Sequence, residues 1–223
     1  MGIEAKQVEK SFGFPPHRVL KDITLSIPDG EFISISGRSG SGKTTLLYLL
    51  STLDRPTSGV IQMDGKNPYE MNSIELHKLR NRNIGFIFQF HYLLPELTSL
   101  ENILLPARKQ NLHVEKSGEA KRLMDLVGLS TKYDRFPSQM SGGEQQRVAI
   151  ARALLMKPKY IFADEPTGNL DTYNSLIVMD LLKKIHREEK TTVVLVTHEP
   201  DYAAMASRKI ELVDGEIKSD QKN

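Results

Sequence analysis

Residues 37–44 read Gly-Arg-Ser-Gly-Ser-Gly-Lys-Thr and lie between the apolar run "FISIS" and the helical pattern "TTLLYLL". No other stretch constrains the fold as strongly. Glycines let the backbone curl until successive N–H groups face inward, and a helix starting just after them adds the positive end of its dipole. The spacing G-x-x-x-x-G-K-[ST] is that of a loop cradling nucleotide phosphates, and it needs a strand before it and a helix after it. In that frame Lys43 reaches the β- and γ-phosphates and the Thr44 hydroxyl ligates Mg²⁺. Gly37, Ser39, Gly40, Ser41, Gly42 and Thr45 complete the predicted cradle.

The rest of the chain agrees with such a frame. "FISIS", "YIFA" and "TVVLV" are nearly continuous apolar runs bounded by turn residues, as expected of strands covered on both faces. Helical patterns fall at 42–51, about 72–80, 115–127, 143–155 and 172–188. Strands alternating with helices predict an α/β fold with a mostly parallel core sheet. The runs near 3–9, 18–27, 59–63 and 209–217, with "MDGK" and "VDGE" as Asp-Gly turns, predict an antiparallel β portion attached to that core. Residues from about 90 to 135 read as a mainly helical subdomain, extending into a long helix that ends near 155. No linker, repeat or low-complexity tract divides the sequence, so residues 1–223 are expected to form a single domain.

Polar residues end three apolar runs. A phosphate loop needs a nearby carboxylate to hold its metal, and "YIFADE" supplies Asp164 at a strand's carboxyl end, where open α/β sheets bind ligands. Glu165 follows directly. Two adjacent carboxylates are a poor structural choice unless a cation and a water divide them, so Asp164 is assigned to Mg²⁺ and Glu165 to polarising the attacking water. The plainer alternative is that Asp-Glu caps the next turn. Gln89 follows "IGFIF" and His198 follows "VVLVT", at strand ends suited to a metal-ligating amide and a γ-phosphate donor. Each alone is weak, since such residues are commonly just surface. His17, His77, His91, His113 and His186 show no paired metal-ligand spacing.

Composition excludes several other classes. The chain has no cysteine, which rules out disulfides and thiolate chemistry, and a net charge of +2 gives no argument for a nucleic-acid partner. "MGIEAKQVEKSF" lacks a signal-peptide core, and Lys6 stands where a myristoylation motif wants Ser or Thr. Apolar runs such as "LLYLL" are far shorter than a membrane span. Work at a membrane therefore requires another chain to hold this one there.

One stretch is left over. "RFPSQMSGGEQQRVAIARALL", residues 135–155, places Ser141, Gly142 and Gly143 before a helical run, which is a second phosphate-ready helix start. With "GRSGSGKT", Gln89, "MSGGEQQ", "YIFADE", "NLD" and His198 in order, nearly the whole chain resembles an ATP-binding-cassette ATPase. That resemblance implies a head-to-tail homodimer closing on two ATP, each lying between one subunit's phosphate loop and the other's signature helix. Ser141 and the Gly143 N–H would then meet a γ-phosphate held by Gly40, Lys43 and Thr44 of the partner, with Gly142 and Glu144 beside them. Met140 and Glu144 depart from the commonest Leu-Ser-Gly-Gly-Gln signature. Asp171 in "NLD" matches the segment crossing the dimer axis, and Phe12 matches the adenine-stacking aromatic, with Phe14 its rival and core filling the alternative for both.

Within that family, "RNRNIGFIFQFHYLLPELTSLENILLP" and "FADEPTGNLD" are most similar to the lipoprotein-releasing ATPases and their macrolide-exporter and cell-division relatives. Such ATPases sit peripherally on the cytoplasmic face of the inner membrane and drive membrane subunits. The apolar segment Phe90–Leu97 is then the expected docking groove for a permease, with an internal helix bundle as the alternative. A regulatory ATPase of cell-division machinery keeps every one of these motifs, and the identity of the partner separates the two. A DNA or ribosome clamp would bring long coiled coils or a second cassette, and a small-molecule kinase a lid and an acceptor pocket.

Overall fold

The computed structural model describes residues 1–222. The elements run β1 (Gly2–Phe12), β2 (His17–Pro28), β3 (Phe32–Ser36), α1 (Lys43–Leu50), β4 (Ser58–Met63), α2 (Ser73–Asn83), β5 (Ile84–Ile87) and α3 (Ser99–Arg108). There follow α4 (Ser117–Leu126), α5 (Gly142–Leu154), β6 (Tyr160–Asp164), α6 (Thr172–Glu189), β7 (Thr192–Val196), α7 (Pro200–Ala203), β8 (Arg208–Val213) and β9 (Glu216–Lys222). They group into two units, residues 1–80 with 186–223, and residues 81–185.

The first unit holds two sheets. β1 pairs antiparallel with β2 on one side and β4 on the other. β3 lies between β7 and β8, parallel to both, and β9 closes the edge antiparallel to β8. All five residues of β7 and the first four of β3 are buried, which is why both buried stretches are mostly apolar, with only the small Ser34 and Thr192 as polar members. The two late strands are joined at "VDGE", where Asp214 and Gly215 both take positive φ, the geometry of the two-residue turn that fits strand twist. β8 nevertheless belongs to the parallel ladder, so the late strands extend the core sheet. "MDGK" is also a turn, bridging Met63 to Lys66 without a following strand. α1 buries Leu46, Leu47, Leu49 and Leu50 completely; truncating any one to Ala costs about 2–5 kcal/mol.

In the second unit β5 and β6 pair in parallel, Ile87 opposite Ala163. Phe86 stacks between Phe88 and Phe162, and Phe162 is fully buried. The helical segment contains α3 and α4 but no helix over residues 90–98. α3 opens with a reciprocal capping box between Thr98 and Glu101. Its buried Asn102 ties down the irregular stretch before it, accepting from the Leu94 N–H at 2.8 Å and donating to the carbonyls of Leu94, Leu97 and Thr98 at 3.0–3.1 Å.

Candidate functional site

The phosphate loop follows β3 and ends on Gly42, the N-cap of α1, in the left-handed region at φ 99°. No side chain caps α1 and no acidic residue sits in its first turn, so its positive end is left for a ligand. Gly37 has φ 149°, and a Cβ there would meet the Leu212 carbonyl oxygen at 2.2 Å. Above Gly40 the space is open. Lys43 is buried, and its ammonium donates to the Gly37 and Arg38 carbonyls at 3.0 Å each, holding it within the loop. The Ser41 hydroxyl is buried without a hydrogen-bond partner among the described residues. An orphaned buried hydroxyl, an uncapped helix and a curled backbone fit a polyphosphate. Ser39, Gly40 and Thr44 are exposed and Thr45 half-buried.

Parallel register sets the neighbouring groups. Ile35 of β3 lies opposite Val196 of β7, so Gly37 and His198 each emerge two residues beyond paired positions at the same end of the sheet. His198 is exposed, while Thr197 is buried and accepts from the Glu199 N–H at 3.1 Å. Lys43→Ala is expected to weaken nucleotide binding at least ~10-fold, because the charge-assisted contact to phosphate is lost. Titration with a fluorescent ATP analogue measures this, and unchanged affinity would remove the loop from the binding site.

The second unit repeats this arrangement. Ile87 faces Ala163, so Gln89 and Glu165 likewise emerge two residues beyond a paired position. Asp164 is buried as the last residue of β6, and Glu165 turns into the left-handed region at φ 44°. That conformation is costly for a side chain bearing a Cβ and tends to persist at functional positions. The Gln89 carbonyl accepts from the Asn169 side-chain amide at 3.1 Å. Gln146, which the sequence did not single out, is fully buried on α5 and donates to the Phe88 and Pro166 carbonyls at 3.2 and 2.7 Å. It joins the segment carrying Gln89 to the one carrying Glu165. Among the described residues no group of three His, Cys, Asp or Glu can hold a metal alone. Within this unit Asp164 and Gln89 offer one carboxylate and one amide, a set that suits an Mg²⁺ arriving with phosphate and water oxygens.

Ser141 is the N-cap of α5 and forms a capping box with Glu144. Its hydroxyl accepts from the Glu144 N–H at 3.3 Å, and its own N–H donates to the Glu144 carboxylate at 3.0 Å. The other carboxylate oxygen pairs with Lys132, which, as the leading cause, holds the Glu144 carboxyl below its ordinary pKa. Ser141 and Gly142 are exposed, and a Cβ on Gly143 would meet the Asn174 side-chain oxygen at 2.2 Å. Asn174 in turn donates its N–H and its amide to Asp171, 2.8 Å each. The backbone bond from Asn174 is the first cause of the lowered Asp171 pKa. The signature helix and the "NLD" turn are thus physically linked.

The segment after Gln89 is apolar and largely uncovered. Phe90, Tyr92 and Leu94 are 60, 63 and 45% exposed, whereas Leu93 is half-buried. Arg152 of α5 secures it by donating to the His91 and Tyr92 carbonyls at 2.7 and 2.6 Å. Burial, then the Arg152 charge, pushes the His91 pKa down. In the first unit Phe12 is 46% exposed beneath the Lys10 ammonium at 4.7 Å, and Phe14 is fully exposed. Neither is core filling.

One unit therefore carries Phe12, the phosphate loop and His198. The other carries Gln89, Ser141 to Glu144, Asp164, Glu165 and Asp171. Residues 20–168 match the family model described as ABC transporter. The chain is 51% identical to "Lipoprotein-releasing system ATP-binding protein LolD" of Leptospira interrogans, over 98% of this chain and 91% of that one. It is 50% identical to the protein of the same name from Aquifex aeolicus, over 90% of each. Among solved structures it is similar to the dimeric ATP-binding cassette MJ0796 in a post-hydrolysis state bound to ADP and Pi, with a TM-score of 0.88, 39% identity and 99 and 98% of the two chains covered.

Proposed function

The chain belongs to the ABC transporter family, and on that premise we propose that it is the ATPase subunit of a lipoprotein-releasing exporter, acting as one ATPase domain over residues 1–223. The observation that carries the mechanism is a curled phosphate loop accompanied by a second helix start, capped by Ser141 and exposed at Ser141 and Gly142. In this reading one protomer's loop holds ATP while its partner's signature helix closes over the γ-phosphate. Glu165 takes a proton from water, the water oxygen bonds to the γ-phosphorus, and the bond to the β–γ bridging oxygen breaks to give ADP and inorganic phosphate. His198 donates to a γ-phosphate oxygen, and Phe12 stacks on the adenine. Thr44, Asp164 and Gln89 would hold Mg²⁺, which would supply neutralisation of phosphate charge. Asp171 lines the dimer axis.

No helix among the described residues is long and apolar enough to cross a membrane; in this reading, which the likeness to lipoprotein-releasing ATP-binding proteins supports, force passes to a separate permease at the cytoplasmic face of the inner membrane. The segment Phe90–Leu97 is the docking surface, since its exposed rings are costly to leave in water. Phe90→Asp or Leu94→Asp is expected to keep the free chain folded and ATP-hydrolysing while abolishing permease association. Loss of folding, read by thermal melting, would return the segment to the core. The function itself is tested by capturing partners of a Glu165→Gln chain from detergent-solubilised membranes and identifying them by mass spectrometry. A permease that extracts lipoproteins supports the proposal; a cell-division membrane protein instead would overturn the transport role.

A further inference from the structure

The signature helix carries a carboxylate where an anion is to be received. Glu144 occupies the third position of α5, with one oxygen on the Ser141 N–H and the other on Lys132. An unpaired carboxylate there would cancel much of the helix-end charge and repel a partner's γ-phosphate. The site is spared this by a residue twelve positions upstream. Lys132 lies in the turn between α4 and α5, and its backbone is anchored on both sides. Its N–H donates to the Leu129 carbonyl at 2.9 Å, and its carbonyl accepts from the hydroxyl of fully buried Ser99. The ammonium is thus delivered to Glu144 from a fixed backbone. Arg147 adds a weaker favourable charge, and its guanidinium is engaged by the Asn174 side-chain oxygen at 3.2 Å.

We propose that Lys132 is a positioning residue for ATP-driven closure: it balances Glu144 so that the start of α5 stays receptive to the partner's γ-phosphate. The proposal rests on the reading that α5 meets a nucleotide held by a second copy. It accounts for a signature that bears Glu: the acid strengthens the cap, and Lys132 removes the electrostatic penalty. A lysine that merely stabilised the cap would affect folding of the monomer and nothing else.

The test measures dimerisation by analytical ultracentrifugation with a non-hydrolysable ATP analogue and Mg²⁺, alongside fluorescent-nucleotide binding to the monomer and thermal melting. Lys132→Met is expected to raise the analogue concentration for half-dimerisation about tenfold, with monomer binding unchanged. Lys132→Arg keeps the charge and is expected to restore closure. In a Glu144→Gln background, Lys132→Met is expected to shift half-dimerisation less than about twofold, since no charge remains to balance. Equal effects of Lys132→Met in both backgrounds, or a change confined to melting temperature, would overturn the proposal. Ser141→Arg separates the premise: if it blocks dimerisation while Lys132→Met does not, the role of Lys132 fails and the shared site stands. If Ser141→Arg dimerises normally, both fail.

Discussion

Glu165→Gln hydrolyses ATP at least ~10²-fold more slowly than the parent chain while still binding it, the expected loss when a general base is removed. The amide has nearly the shape of the carboxylate, so the turn beyond β6, closed by the Gly168 N–H on the Glu165 carbonyl at 3.0 Å, should survive. The phosphate cradle is built from other residues, so affinity for Mg-ATP is preserved. Closure then occurs without its reversal, and an ATP-bound dimer accumulates. Single-turnover phosphate release and light scattering read the two effects separately. Normal turnover would exclude Glu165 from the chemistry, and its left-handed backbone at φ 44° would need another explanation.

Much of this site was legible because its supporting strands are buried on both faces. β3, β6 and β7 announce themselves as short apolar runs, and a polar residue at the end of such a run must face either solvent or a ligand. Parallel register then explains why Gly37 with His198, and Gln89 with Glu165, share a pattern of emergence two residues beyond paired positions. The helix α3 was not separately legible. Pro106 interrupts its pattern, although Thr98 and Glu101 form a capping-box signal that would have found it. The place of β8 was hidden for a different reason. A hairpin turn at 214–215 is a local signal, whereas pairing with β3 depends on a crossover that local periodicity does not encode. The same holds for Gln146 and Lys132, whose partners lie far along the chain or across a turn. Leu93 and Leu94 are indistinguishable by type, and only the folded backbone decides that the second is the more exposed.

Ser141→Arg is expected to leave nucleotide binding by the monomer nearly intact while abolishing ATP-dependent dimerisation and hydrolysis. Ser141 lies outside the phosphate loop of its own chain, and its side chain is exposed at the start of α5. An arginine there fills the space where a partner's γ-phosphate must reach the helix end. The substitution also removes a cap, worth ~1 kcal/mol, and Ser141→Ala, which loses the same cap without adding bulk, isolates that contribution by thermal melting. Mixing decides the geometry. A Ser141→Arg chain has a sound phosphate loop and a blocked signature; a Lys43→Ala chain has the reverse. Paired head to tail, they place both defects on one composite site and leave the other whole. The mixture should therefore recover hydrolysis that neither variant shows alone, given that one intact site turns over. Sites confined to single chains predict no recovery, because each chain would carry its own defect into the mixture. Full ATPase activity from the Ser141→Arg chain alone would reduce "MSGGEQQ" to an ordinary helix start, with its exposed glycine and bare N–H groups serving no nucleotide.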